Sequence, residues 1–396
     1  MRRLYTNALG CVSIACLGGS LTAETSLKEW WSAHGDYTIR NLSSVIAQEY
    51  APVEFNRNNL LEIPEYVLMN EFRPDASLSY ERAYFSVAPR FTVSRSYYQS
   101  GGLDGKNKSD TEFYIQEWLA QVFLRPDLSL SYGREDLQWG PAFLLSPSNP
   151  FDSQNGRSEP KTEVAAADYV RLVWTPDYNW TFSLIANTDD GRKTYRIVDE
   201  LRQDFAPGYA LKADYVFDRG LASLIASTIE GGGDQDDRLG GYLSYNLSDA
   251  WIGYIEGSLS EVDEELLIGG SYTLESGWNL AVEYFYNSSG LSKDLDEIGF
   301  DEIETFIWNM DNREQFFRQR YLLVQAYRND VYKSLDLIFR YTQNIDDRSR
   351  SFLTHLEFDI TDNALGFLSG TLNSSGGGEL DSLREYRVQA GIELVF

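Results

Sequence analysis

Thiols are confined to one end of this chain. Of 396 residues only Cys11 and Cys16 are cysteines, and both fall within the first 23. Arg2 and Arg3 open that stretch, 4–21 is mostly apolar or small, and Leu21-Thr22-Ala23 precedes acidic Glu24. The arrangement predicts a secretory leader at 1–23, cut near Ala23. Ser13-Ile14-Ala15 before Cys16 is a poor lipoprotein cleavage site. Beyond the leader the chain then holds no cysteine, which excludes disulfides and thiolate-bound metal. Stability outside the cytoplasm must come from backbone pairing and burial.

Long hydrophobic runs are missing too. No stretch after the leader approaches 18 consecutive apolar residues, so helical membrane spans are excluded. Cations are scarce: 34 Lys and Arg stand against 60 Asp and Glu. Removing a leader with two arginines takes the formal net charge from −26 to −28, which argues against nucleic-acid binding. Histidine is reduced to His34 and His355. No Cys/His metal spacing and no phosphate-cradling glycine loop occurs, so neither a metal nor a cofactor is expected. Aromatics, by contrast, are abundant, with 26 Tyr, 21 Phe and 9 Trp. Acidic disordered chains are poor in them. A folded β-protein is expected, either soluble or membrane-embedded.

The C-terminus bears on that choice. Tyr386, Val388, Ala390, Ile392, Leu394 and Phe396 alternate with Arg387, Gln389, Gly391, Glu393 and Val395. Successive side chains of a strand point to opposite faces, so one face is apolar with an aromatic at each end. The other is polar, charged or small. This is the pattern of a barrel strand between lipid and lumen. A chain ending on such a strand with a terminal Phe resembles Gram-negative outer-membrane proteins. The resemblance implies a sorting signal for barrel assembly, carried by Tyr386, Val388, Ile392, Leu394 and Phe396.

Turn chemistry extends the pattern through the chain. Tight connections are read at Arg73-Pro74-Asp75, Arg125-Pro126-Asp127, Pro176-Asp177-Tyr178, Asp218-Arg219-Gly220 and Leu247-Ser248-Asp249. Three more follow at Glu275-Ser276-Gly277, 329–334 and Thr361-Asp362-Asn363. Pro, Gly, Asn and Asp set such turns through fixed φ, permitted positive φ or local side-chain hydrogen bonds. Between them lie connections at 99–111, 138–167, 188–207, 231–237, 261–263, 288–316, 345–348 and 374–383, mostly longer and polar. Eight tight turns join sixteen strands and the terminal strand makes seventeen. An even barrel needs one more, rising somewhere in 36–58. Eighteen strands are expected, with sixteen as the next choice. The expected organisation is a leader at 1–23, a periplasmic segment and first strand at 24–58, and the transmembrane barrel at 59–396. Arg73 to Tyr80 repeats Arg125 to Tyr132 at seven of eight positions, read as one turn solution used twice.

Alternation alone does not separate lipid from a protein core, so a soluble sandwich fits the same strands. The leader, the aromatics near strand ends and the alternation of short turns with longer loops favour the barrel. The fold expected is all-β: a single transmembrane antiparallel β-barrel with short periplasmic turns and long acidic outer loops. From 288 to 316 eight carboxylates face only Lys293 and Arg313. A mouth so negative attracts cations through its summed field.

No catalytic set emerges. His355 is followed by Leu356-Glu357, without a serine to complete a nucleophile–base pair, and reads as a lumenal polar residue. An enzyme is not expected. The most distinctive stretch runs from Gly133-Arg134-Glu135-Asp136-Leu137-Gln138-Trp139-Gly140-Pro141 through Phe143 to Pro150-Phe151-Asp152. It opens a loop of about 30 residues, longer than a hairpin needs. Trp139, Phe143 and Phe151 offer flat surfaces, and Arg134, Glu135, Asp136 and Arg157 offer polar contacts, a mixture suited to sugar-like solutes. Arg171, Arg340, His355 and Glu357 are further lumenal candidates. The loop either folds into the lumen or packs as a lid.

Residues 133–176, with Gly133-Arg134, Trp139-Gly140-Pro141, Leu144-Leu145-Ser146 and Asn149-Pro150, resemble capsule-assembly outer-membrane lectins. More loosely they are similar to alginate-export barrels and related porins. That resemblance implies eighteen strands and the handling of acidic polysaccharide. The chain departs from it in leaving little room for a periplasmic helical bundle and in having acidic outer loops. Two functions are therefore carried forward. One is a porin-like channel for small hydrophilic solutes, favouring cations or neutral sugars; the other is a surface polysaccharide-binding or export barrel. Partners expected are outer-membrane lipid and lipopolysaccharide, the barrel-assembly machinery, and the solute or saccharide. Association as a homotrimer is left open.

Overall fold

The computed structural model describes residues 27–52, 56, 58–153, 160–192, 205–230, 237–261, 263–291, 316, 318–374, 378–381 and 384–396. A short helix, α1 (Leu27–His34), leads into β1 (Gly35–Tyr50), β2 (Tyr66–Tyr80), β3 (Ala83–Tyr97), β4 (Asn107–Arg125), β5 (Leu128–Glu135) and β6 (Ala167–Trp174). Then come β7 (Trp180–Asp189), β8 (Gly208–Phe217), β9 (Gly220–Ile229), β10 (Arg238–Asn246), β11 (Trp251–Ser260) and β12 (Glu264–Thr273). The series ends with β13 (Asn279–Asn287), β14 (Arg320–Arg328), β15 (Leu335–Asn344), β16 (Arg350–Thr361), β17 (Ala364–Asn373) and β18 (Arg384–Val395). Each strand pairs antiparallel with its chain neighbours. β18 pairs with β1, from Arg40 opposite Val395 to Tyr50 opposite Arg384, and the eighteen-stranded sheet closes without an edge.

The polarity of this closed sheet is inverted relative to a soluble protein. On β13, Leu280, Val282 and Tyr284 are exposed outside while Glu283 is fully buried inside. On β18, Val388, Ile392 and Leu394 are exposed outside while Gln389 and Glu393 are buried. An apolar belt around a polar interior is stable only where the outer solvent is lipid. Near the tight-turn end the belt carries a ribbon of rings: Trp174, Phe182, Trp180, Tyr215, Phe217 and Tyr245 touch in sequence across β6 to β10. Amphipathic rings of this kind sit where headgroups meet hydrocarbon.

Seven of the expected tight turns join consecutive strands as read. The eighth does not: Arg73-Pro74-Asp75 lies inside β2, and the chain reverses at Glu81-Arg82. The echo between 73–80 and 125–132 is therefore not one turn used twice. A physical reason lies across the ladder, where β2 and β3 pair at Phe72–Phe91 and again at Ala76–Val87. Between these pairs Pro74 stands opposite Pro89, and neither has an N–H to donate. The ladder is interrupted on the β3 side only; on the other side β1 pairs straight through, with Ile39 opposite Pro74, and holds the strand extended through a proline that reads as a turn. The rising strand sought in 36–58 is β1, preceded by α1, whose Trp30 and His34 rings stack on each other and meet Tyr80 of β2. Most of the acidic mouth read at 288–316 lies outside the described residues.

Candidate functional site

Of the connection from β5 to β6, the described residues 136–153 and 160–166 lie inside the barrel. A segment rich in Pro and Ser has no strand partner, so its backbone N–H groups need acceptors elsewhere. Two inward carboxylates supply them. Glu283 of β13 accepts from the N–H of Phe143 (2.6 Å) and Leu144 (2.8 Å), and from the hydroxyl of Tyr254 (2.6 Å). Glu256 of β11 accepts from the hydroxyls of Ser146 (2.6 Å) and Ser148 (2.7 Å). Gly140 lies on that carboxylate with φ +83°, and a Cβ there would come within 2.2 Å of Glu256 Oε2. Ala142, Leu144 and Leu145 complete the contact by packing on Tyr254, Leu267, Phe285, Tyr321 and Leu323.

A second apolar cluster holds the return of the same segment. Phe151 packs with Tyr169, Ile185, Ala210, Ile225 and Tyr242, against Leu137 and Trp139. Lys212 of β8 sits over the rings of Trp139 and Tyr242, at 5.6 and 5.5 Å from their centres, and pairs with Asp214. Beneath Gly140 and Pro141 a cavity of about 410 Å³ remains, lined by Leu221, Tyr242, Ser244 and Asn246 near the tight-turn end.

The far part of the loop is fixed to the other wall. Lys161 bridges Glu357 of β16 (2.7 Å) and Glu393 of β18 (3.1 Å). Glu163 takes both Nε and Nη2 of Arg90 on β3, at 2.9 and 2.8 Å, with Arg73 of β2 at 3.8 Å. Arg90 also reaches Asp75 (2.8 Å), and Arg73 reaches Glu71 (2.9 Å). The carbonyl of Val164 accepts from Gln116 of β4 (2.5 Å). In the strand order β3 and β12 are half a circumference apart. Residues 140–148 are anchored on β11 and β13 and residue 163 on β3, so the two described parts of the loop occupy opposite sides of the lumen and narrow it. The opposed prolines of β2 and β3 fall at this anchor.

The expected site residues divide accordingly. Glu135 and Arg171 form an inward ion pair at 2.6 Å on adjoining strands. Arg340 is buried on β15, donating to Gln325. His355 is buried on β16 with Nε2 3.5 Å from Glu357, which Lys161 also holds. Asp136 accepts from the side chain of Gln138 and gives its own N–H to Glu117. Phe143 is half-buried in the loop. Arg134 departs from the pore reading: it shares the parity of outward Leu130 and Tyr132 and is committed to Asp168 at 2.7 Å. Trp139 and Phe151 depart as well, because their faces are used in packing. Arg157 lies outside the described residues. The residues that position the loop, Arg73, Arg90, Lys161, Glu163, Glu256 and Glu283, were missed. Glu256 and Glu283 carried a signal, a carboxylate on the inward parity of each strand. Arg73 was hidden by the misplaced turn.

No family model and no curated protein matches the sequence. Solved structures do. Acinetobacter baumannii OccAB3 superposes with a TM-score of 0.57 at 11% identity, covering 92% of this chain and 99% of that one. Pseudomonas aeruginosa OccK5 (OpdH) gives 0.56 at 10% identity, over 92% and 99%. The outer membrane protein OprD of the same organism gives 0.55 at 10%, over 92% and 93%. The chain has the eighteen-stranded barrel fold of these outer-membrane proteins. In a porin-fold barrel the tight turns face the periplasm, so Phe396 lies at the periplasmic rim and the long connections face outward. Four cations of the loop's far anchor, Arg40, Arg73, Arg90 and Lys161, stand among five carboxylates, Glu71, Asp75, Glu163, Glu357 and Glu393. The anchor is thus close to neutral as a whole.

Proposed function

We propose that this barrel is a passive channel for small hydrophilic solutes, narrowed by residues 136–153 and 160–166 and catalysing no reaction. The observation that carries the reading is the loop tied by buried charges to opposite walls of a polar lumen. A channel needs that arrangement to restrict what passes without closing the way. The near-neutral anchor leaves ion preference to the rest of the lumen and the mouth, where the carboxylates of 288–316 favour cations and leave neutral sugars unopposed. A polysaccharide-binding role has less support. Trp139 and Phe151, the rings suited to stack on sugar, are spent in packing.

Purified, heat-modifiable barrel in a planar bilayer tests the proposal. Discrete conductance steps are expected, with a reversal potential favouring cations in a salt gradient. Folded protein that yields no steps would overturn the channel, and anion selectivity would overturn the cation preference alone.

A further inference from the structure

The apolar belt is broken at one place. Residues directly opposite in a ladder share a face, and Asn41 of β1 is paired with Leu394 and Phe72, and Ser43 with Ile392 and Asn70. Leu394, Phe72 and Ile392 are exposed on the outer surface, so Asn41, Ser43 and Asn70 stand among them. Ser43 and Asn70 lie level with Ile392, four residues above Phe396, and Asn41 level with Leu394, two above it; on a face turned to acyl chains a polar side chain is costly unless it finds a partner.

They partner one another, and incompletely. Asn70 Nδ2 donates to Asn41 Oδ1 at 3.0 Å and to Ser43 Oγ at 2.8 Å, which uses both of its N–H groups. Asn41 Nδ2 donates to Asn70 Oδ1 at 3.3 Å, and Ser43 Oγ lies 3.5 Å from Asn41 Oδ1. An amide has two donors and two acceptor positions. The triad is left with one spare N–H on Asn41 and one spare acceptor position on Asn70.

We propose that this triad is the contact through which two copies of the chain associate side by side in the membrane. Acyl chains offer neither donor nor acceptor. A second copy, turned about an axis along the membrane normal, offers both. The spare N–H of Asn41 meets the carbonyl of the partner's Asn70, and symmetry makes the reverse contact. The neighbouring outward positions Ala47 on β1 and Ala390 on β18 are small, as close approach of two membrane surfaces requires. The inference rests on the membrane-spanning fold and is independent of channel activity.

The test uses the full chain, with Cys11→Ser and Cys16→Ser, expressed into the outer membrane of a Gram-negative host. Val45 is 49% exposed between Ser43 and Ala47 on the outward parity of β1. Membrane-permeant oxidant should link Val45→Cys into a dimer. It should leave Leu224→Cys, outward on distant β9, as monomer. Adding Asn41→Leu and Asn70→Leu should weaken association about tenfold while heat-modifiability is retained. No dimer from Val45→Cys, equal dimer from Leu224→Cys, or undiminished dimer in the leucine variant would each overturn the proposal. Should the leucine variant not assemble, Val45→Trp keeps the polar triad and adds bulk at the contact. Its native mass should be that of a monomer, and a persistent dimer would overturn the proposal equally.

Discussion

Glu163→Gln removes one charge from the lumenal loop and nothing from the barrel wall. Arg90 is only 3% exposed at its side chain, and Glu163 holds its Nε and Nη2 together at 2.9 and 2.8 Å. Breaking a buried pair by deleting one partner costs about 3–5 kcal/mol when the other charge is stranded. Here it is not stranded, because Asp75 stays 2.8 Å from Arg90 and glutamine keeps one acceptor oxygen. Glu163 is also a quarter exposed. The loss is therefore nearer that of one charge-assisted hydrogen bond, about 2 kcal/mol. That multiplies the ratio of released to held loop about thirtyfold. Lys161 and Val164 keep their own contacts on β16, β18 and β4, so the effect is confined to the lumen. Single-channel recordings should show higher mean conductance and greater open-channel noise than the parent. The thermal unfolding midpoint should be unchanged, because the closed hydrogen-bonded ladder does not involve Glu163. Unchanged conductance with a lowered midpoint would refute the reasoning and make Glu163 a brace of the β2–β3 wall instead.

Other perturbations probe the far side of the loop and the belt. Gly140→Ala places a Cβ at φ +83° against Glu256, at a cost of about 1–3 kcal/mol. Folded barrels carrying it should be nicked faster by protease within 136–153, and unchanged nicking would show that Gly140 is not the seat of the contact. Val388→Lys or Ile392→Lys puts a charge on the lipid face at about 2–4 kcal/mol near the midplane. The heat-modifiable band in outer-membrane fractions should fall. Gln389→Lys, which points into the lumen beside Ser44, should leave that band intact. Equal loss in all three would mean that the terminal strand matters for assembly in some way other than by its facing.

How much of this was legible follows from the range of the forces involved. Strand facing, closure by an even count and seven of the eight tight turns are local matters. Alternation has period two, and a turn is set by the φ of two or three residues. The strand β18 could therefore be read from Tyr386 to Phe396 alone, and β1 was demanded by parity before any contact was known. Arg73-Pro74-Asp75 shows the limit. The same tripeptide is a turn at 125–127 and extended strand at 73–75, and the difference lies in its neighbours across the ladder: β1, whose Thr38, Ile39 and Arg40 pair with Asp75, Pro74 and Arg73, and Pro89 on the β3 side.

The loop is the larger case. Its length, prolines and aromatics marked it as distinctive, but nothing local says whether Trp139 faces a solute or Phe151. That was decided by carboxylates more than a hundred residues away, Glu256 and Glu283, and by the arginines of β2 and β3. Sequence by itself determined the barrel, because its rules act between neighbours along the chain. Only the tertiary structure decided what fills it, because buried N–H groups and charges take whichever partner the closed sheet brings within hydrogen-bond reach.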